Sequence, residues 1–384
     1  MLFSDYLKSL VNQFGFKAKL GCSHAISTLR KVVDYYVNNN STVNMCFLDM
    51  SKGFDKINHS VLLLKLMKRR VPVALIKLLH YWYNISYNNV RWGDALSQPY
   101  KLLAGVRQGG VLSPVLFSIY VYDFLHTFSK FGCCFMGLSV SAIIYADDLV
   151  LIAPSVTELQ NMIKICELEL QSIDLTINST KSVAIRIGCR YKTNARKLIV
   201  SGNEIDWAKD VKYLGVCILA GNSFKCNFDK TKCKFYKAAN GILAKIGNKD
   251  NATVTLKLLA TMALPVLTYS IESLSLNKSE LNSLNHPWER SFQKLFHTFE
   301  KQIIKYCLWY NGYLPIMHYY GLRSISFLKG LEQSPNLLMR HVFNTAGQKD
   351  VSRLAKLFNS DTAGFLTHYK KIIDADFYNK IETT

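Results

Sequence analysis

Asp49, Asp147 and Asp148 are the side chains best placed to do chemistry. Asp49 closes the apolar run 44–48, and the Asp147-Asp148 pair separates two further apolar runs, 142–145 and 149–152. Each acid therefore falls where burial is expected, and clustered buried carboxylates are costly unless a cation neutralises them. Asp49 and Asp147 are 98 residues apart, yet pairing of their strands would bring both to one face of a sheet. Two or three carboxylates at a sheet edge, completed by water, suit Mg²⁺, a hard ion that prefers octahedral oxygen. Two such ions about 3.5 to 4 Å apart activate a hydroxyl nucleophile and stabilise a departing pyrophosphate, which is phosphoryl-transfer chemistry. An Asp-Asp turn joining two strands is the plainer reading of the dipeptide alone.

The elements that must hold these acids follow from pattern. Residues 44–48, reached from the turn-rich Asn38-Asn39-Asn40-Ser41, predict a buried strand. Apolar residues from Val61 to Met67, then Ile76, Leu79 and Tyr83, recur at helical spacing on either side of Pro72. A glycine-rich loop, 105–110, leads into a helix over 112–125 with Ser113 as its N-cap and Pro114 at its first position. The runs 142–145 and 149–152 predict a hairpin with acids at its turn. A helix opens at Thr157, with Glu158 in its first turn. Strands are predicted at 183–187, 197–200 and 211–218, and beyond 228 the pattern is helical. The first 220 residues thus read α+β and the rest all-α, with no repeat or flexible linker between them.

Charge points to the partner. The 384 residues carry 47 Lys plus Arg against 27 Asp plus Glu, a net charge of +20, which calls for a polyanion. Half of that excess lies between Lys181 and Asp250, where 15 cations meet 5 acids and are interleaved with Tyr191, Trp207, Tyr213, Phe224 and Phe228. Such a mixture suits phosphate contacts and base packing, while a solvated basic face over core aromatics is the plainer alternative. With 49% hydrophobic and 19% charged residues, intrinsic disorder is excluded as the dominant state. The longest apolar candidate, Val111 to Leu125, is interrupted by Ser113, Pro114, Ser118 and Asp123, so no membrane partner is expected. Asp5 and Lys8 argue against a secretory signal, which leaves an intracellular protein as the expectation. Ten cysteines without a CxxC are too sparse for a disulfide scaffold, and Cys133-Cys134 and Cys226/Cys233 read as ordinary thiols.

Taken together, five ordered blocks resemble a reverse transcriptase of the non-LTR, LINE type. They are Phe47 to His59, Gly105 to Pro114, Tyr145-Ala146-Asp147-Asp148, Leu175 to Ser182, and Val211 to Gly215, spread over about 170 residues. A weaker similarity begins at Gln13-Phe14-Gly15-Phe16-Lys17. The resemblance implies a right-hand polymerase: a partial fingers segment at 1–42, a palm with a ferredoxin-like sheet at 43–220 including finger-side helices at 59–90, and a helical thumb with a C-terminal extension at 221–384. It implies RNA-directed DNA polymerisation with two Mg²⁺ ions, for which Mn²⁺ can substitute, on an RNA template and DNA primer with deoxynucleoside triphosphates, in the nucleus.

Roles carry over by position. The resemblance makes Asp49 and Asp147 the principal metal ligands and Asp148 the third acid. Phe54 would pack under the incoming sugar and exclude a 2′-hydroxyl. Arg107, Gln108 and Gly109 would face the nucleotide or template, Lys181 would protonate the departing pyrophosphate, and Lys212, Tyr213, Leu214 and Gly215 would grip the primer. Without the family, Arg107 to Gly110 is a loop before a helix, Lys181 a surface charge and Tyr213 part of a buried strand. Gly53 stands where the family usually has Ala, and Tyr122-Asp123 where it often has two acids. Upstream fingers strands and an endonuclease are expected to be encoded before this chain. Two other readings stay open: an inactive N-truncated remnant that binds nucleic acid, and a maturase-like intron protein. An RNA-templated RNA polymerase is disfavoured by the aromatic Phe54.

Overall fold

The computed structural model describes residues 10–51, 53–246 and 252–382; Asp5, Lys8, Lys52 and the end of the basic stretch at 247–250 lie outside them. The chain divides into two compact units. The first comprises Met1–Ala25, Val32–Leu214 and Ile218–Lys225, and the second Ile26–Lys31, Gly215–Cys217 and Cys226–Thr384.

An antiparallel sheet organises the first unit. Strands β1 (Thr42–Met50), β2 (Ala142–Tyr145), β3 (Asp148–Ala153) and β4 (Ile177–Gly188) lie side by side in the order β4-β1-β3-β2. Every neighbouring pair is antiparallel. With helices between β1 and β2 and between β3 and β4, this is the ferredoxin-like arrangement the sequence led us to expect. β1 is buried along almost its whole length, on both faces, so its sequence reads as a continuous apolar run rather than an alternation.

Helix α1 (Cys22–Asn38) precedes β1, and the helices that share a core with the sheet are α2 (His59–Lys68), α3 (Val73–Asn84), α4 (Ser113–Tyr120), α5 (Tyr122–Thr127) and α6 (Val156–Gln171). Leu48 and Met50 of β1 join Phe117, Tyr120, Phe124, Leu151, Leu159 and Met162 in one core. Ser155, rather than the body of the helix, sets the start of α6: its hydroxyl accepts from the Glu158 amide at 3.1 Å.

Three local expectations change. The helix predicted over 112–125 breaks at Val121 into α4 and α5, and Ser113 is its first residue rather than its cap, the hydroxyl donating instead to the Arg107 carbonyl. Tyr122-Asp123, for which the sequence offered no role, fastens α5 to α2: Arg69 lies 4.2 Å over the Tyr122 ring and Lys65 pairs with Asp123 at 2.9 Å. The strand predicted at 211–218 is two strands, Asp210–Tyr213 and Val216–Leu219, turning at Leu214 (φ 43°) and Gly215 (φ 87°).

After the short strand Lys225–Asn227, the regular elements among the described residues are all helices. One helical run, Ala252–Ser273, is long and apolar enough by composition to cross a membrane, which the sequence reading did not anticipate; half of it is buried within the protein, which accounts for its character. Asp350 is the polar centre of the unit, bonded to Arg30 at 2.9 Å and Lys31 at 2.5 Å. All ten cysteines are free thiols.

Candidate active site

Strand register brings the acids together. Asp49 and Asp148 are directly opposed on β1 and β3, so their side chains leave the same face at the end of the sheet. Asp147 precedes Asp148 in the β2–β3 turn, which Ala146 makes possible by adopting a left-handed φ of 57°. That turn corrects one expectation. Asp147 and Asp148 are exposed at the rim instead of buried in the hairpin, and Asp49 is half-buried. Asp148 nevertheless is held above the usual carboxylate range. Partial removal from water raises it first, then the charges of Asp147 and Asp49, against the lowering field of Lys212.

Like charges crowded in this way fit a cation. Among the described residues no three His, Cys, Asp or Glu side chains converge as a closed metal cage, so the expected trio of ligands is not preassembled. The donor set still suits a hard divalent ion, which keeps water and takes one or two protein carboxylates together with substrate phosphates.

Lys181 reaches the acids by an irregularity in β4. Phe47 pairs with Val183 and Asp49 with Asn178, so two steps along β1 match five along β4, and residues 179–182 bulge out of the ladder. Asn178 closes this bulge: its side-chain oxygen accepts from the Thr180 amide at 3.1 Å, and its carbonyl accepts from the Ser182 hydroxyl at 2.7 Å. The effect is to set the Lys181 ammonium 3.9 Å from an Asp49 oxygen, with most of the side chain in solvent.

Phe54 follows Gly53, where a Cβ would lie 3.9 Å from that of Asp147, and its ring is stacked on Phe117, centroids 4.6 Å apart and planes 10° apart, and edge-on to Phe16 at 5.8 Å. Gly53 is close-packed there as well, since a Cβ would meet the Phe117 ring at 3.1 Å. The Gln108 loop is laced to the Phe54 loop by two backbone bonds, Val106 N–H to the Phe54 carbonyl and Gly105 N–H to the Ile57 carbonyl, both 2.8 Å. Gly105 cannot be replaced easily: its φ is 90°, and a Cβ would lie 2.7 Å from the Asp55 carbonyl oxygen. The Gln108 amide then donates to Asp55 at 3.1 Å, while Arg107 and Gly109 are exposed beside it.

Lys212 is exposed, whereas Tyr213 is buried, its ring 5.2 Å from Phe47 and its hydroxyl lifted well above its ordinary range, first by burial and then by Asp148. Gly215, in the second unit, has Tyr269 against it, with 2.7 Å left for a Cβ.

Sequence reasoning missed the residues that support these groups. Phe117 was an undistinguished member of an apolar helix. Gly15 lies so close to the acidic turn that a Cβ would stand 2.5 Å from the Ala146 nitrogen. The Phe14 amide bonds the Ile144 carbonyl at 2.8 Å, which docks this segment on the edge of β2. Asp55 carried no signal beyond its place after Phe54.

A four-stranded ferredoxin-like sheet with carboxylates converging at the end of its central strands is the palm architecture of the nucleic-acid polymerases. The family profile described as reverse transcriptase (RNA-dependent DNA polymerase) matches residues 8–218. The chain belongs to the reverse transcriptase family. Its curated relatives include the Pol polyprotein of the type-2 retrotransposable element R2DM of Drosophila melanogaster, 27% identical over 59% of this chain and 23% of that protein. Another is the RNA-directed DNA polymerase of the mobile element jockey of Drosophila funebris, 23% identical over 68% of this chain and 29% of that protein. The chain thus spans about a quarter of the length of these non-LTR retrotransposon proteins. Among solved structures, telomerase from Candida albicans aligns over 97% of this chain and 55% of that one, with a TM-score of 0.46 and 13% identity.

Proposed function

We propose that this chain is an RNA-directed DNA polymerase domain of a LINE-type retroelement, adding deoxynucleotides to a primer 3′-hydroxyl on an RNA template. The observation that carries the reading is the opposition of Asp49 and Asp148 across β1 and β3, with Asp147 beside them and the β4 bulge setting Lys181 at 3.9 Å from Asp49. Asp49 and Asp147 are the residues to hold Mg²⁺, with Asp148 the third acid. When bound, a pair of such ions activates the attacking hydroxyl and neutralises the departing pyrophosphate.

The protein's own side chains would do the rest. Lys181, in reach of the acids, donates a proton to the leaving pyrophosphate. Phe54, backed by the Phe117 ring, fills the space a 2′-hydroxyl needs. Gln108 and Gly109 present a polar side chain and an unobstructed backbone to the nucleotide, and Arg107 supplies positive charge beside them. Lys212 and the Leu214-Gly215 turn contact the primer end, Tyr213 serving as their buried foundation.

The test is incorporation of dTTP by the purified chain on an oligo(dT)-primed poly(rA) template with Mg²⁺. Wild type should extend the primer, and Asp147→Asn should lose at least about a hundredfold in rate, the lower range for removing a principal charge-stabilising group. Full activity in the Asn variant would refute the assignment of the site.

A further inference from the structure

The end of the sheet opposite the acids carries a second polar cleft. Asn44 on β1 pairs with Ala153 on β3 and with Arg186 on β4, five residues from Asp49 and so about 17 Å along the strand from the carboxylates. A cavity of about 310 Å³ opens here, with Ser41, Thr42, Ser155, Arg186 and Arg190 in its wall and no acidic residue lining it.

Its chemistry is that of an anion site. Arg186 is 92% buried, an uncommon place for a guanidinium, and its orientation is fixed: Nε donates to the Asn44 side-chain oxygen at 3.0 Å and Nη1 to the Thr193 carbonyl at 2.6 Å. Neither bond engages Nη2. Asn44 is itself held, its amide donating to the Pro154 carbonyl at 3.1 Å. Arg190 is exposed and has no carboxylate partner among the described residues, while its backbone amide is anchored to the Thr42 hydroxyl at 2.9 Å. The 16-residue helix α6 begins at the cleft with Ser155 and Val156, adding the positive end of its dipole and first-turn amides that the helix itself leaves unpaired. The acid of that turn, Glu158, has its carboxylate turned to the Gly132 amide at 2.8 Å.

The surroundings extend the same charge. From 182 to 203 the chain has five cations, Arg186, Arg190, Lys192, Arg196 and Lys197, and no acid, Lys197 being paired with Glu204 and Asp206 just beyond. Tyr191 lies beside the cleft with the Lys192 ammonium 5.7 Å from its ring, an aromatic surface among cations that suits a base next to a phosphate.

We propose that this cleft is a second nucleic-acid contact, binding a backbone phosphate of a single-stranded segment through Arg186 and Arg190, remote from the reacting atoms. The choice of nucleic acid over a free phosphate rests on the polymerase reading; the anion site itself does not. Because the cleft is fixed at the far end of the same strands as the acids, it tethers the strand without touching chemistry.

The test is binding of a fluorescein-labelled single-stranded RNA to the full chain by anisotropy across a salt series, without nucleotides. Arg190→Gln, an exposed substitution, should weaken binding and lower the slope of log K against log salt by about 0.7, one phosphate contact on a single strand. Arg186→Lys, which keeps charge but loses the fork, should also weaken binding. Lys164→Gln, an exposed cation on the body of α6, controls for net charge. An unchanged slope in Arg190→Gln, or an equal fall in Lys164→Gln, overturns the proposal. Arg190-dependent binding of inorganic phosphate with no change in the RNA slope also overturns it, assigning the cleft to a free anion. Failure of the polymerase reading would show instead as absent incorporation with the Arg190 effect intact.

Discussion

Replacing Asp350 by Asn is the substitution whose cost the structure specifies most fully. The carboxylate lies 2.9 Å from Arg30 and 2.5 Å from Lys31, with Arg353 at 4.0 Å, and the Arg30 and Lys31 side chains are only 4% and 7% exposed. Burial by itself would raise Asp350, yet the charges of Arg30 and Lys31 dominate and hold it down to about 2, against 3.8 ordinarily. That depression corresponds to about 2 kcal/mol of stability from this one ionisation. Asparagine removes it and also takes the charge of Asp350 away from two buried cations, so the expected loss is about 3 to 5 kcal/mol at neutral pH. Because the folded carboxyl titrates below the unfolded one, its contribution is complete above about pH 4 and fades as pH falls towards 2. The gap between wild type and Asp350→Asn in urea unfolding should therefore be wide at neutral pH and narrow through that acid window. A gap under about 0.5 kcal/mol at neutral pH, the usual range of an ordinary surface change, would show that the cluster does not hold the helical unit together.

Two further substitutions probe the site. Gly105→Ala forces a Cβ to 2.7 Å from the Asp55 carbonyl at a φ of 90°; an L-residue in the left-handed region alone costs about 1 to 2 kcal/mol, so both the melting temperature and kcat/KM should fall, and a wild-type profile would show that the loop is free to adjust. Phe54→Ala removes the ring stacked on Phe117 and should relax discrimination against ribonucleotides by roughly 10- to 200-fold, the worth of a small steric group in a pocket, as measured by competing rNTP and dNTP incorporation; unchanged discrimination would move the gate elsewhere.

How much of this was legible in the sequence depends on distance along the chain. β1, the β2–β3 hairpin and α6 are marked by apolar runs and a capping serine, and the acids by their placement at the ends of those runs. Their exposure was not legible, because it depends on Ala146 taking a left-handed turn that nothing in its residue type requires. Polar residues 178–181 hid the first half of β4, since a bulged strand end lacks the alternation by which strands are recognised. Phe16 and Phe117, about 100 positions apart, meet on Phe54 only after folding. The ion cluster of Arg30, Lys31 and Asp350 spans about 320 positions, and no local pattern announces such a pairing.

The bulge at 179–182 has a consequence for how such a protein can change. An ordinary strand locks every residue to its neighbours, so that adding or deleting one turns all the following side chains over. Here the slack is gathered into four residues bracketed by Asn178 and Val183, which keep their own partners. Insertions within this stretch can therefore move the ammonium towards or away from Asp49 while the rest of the sheet stays in place. That makes the bulge the natural point at which evolution or an engineer could adjust the proton delivery we propose for Lys181 independently of the framework that carries it.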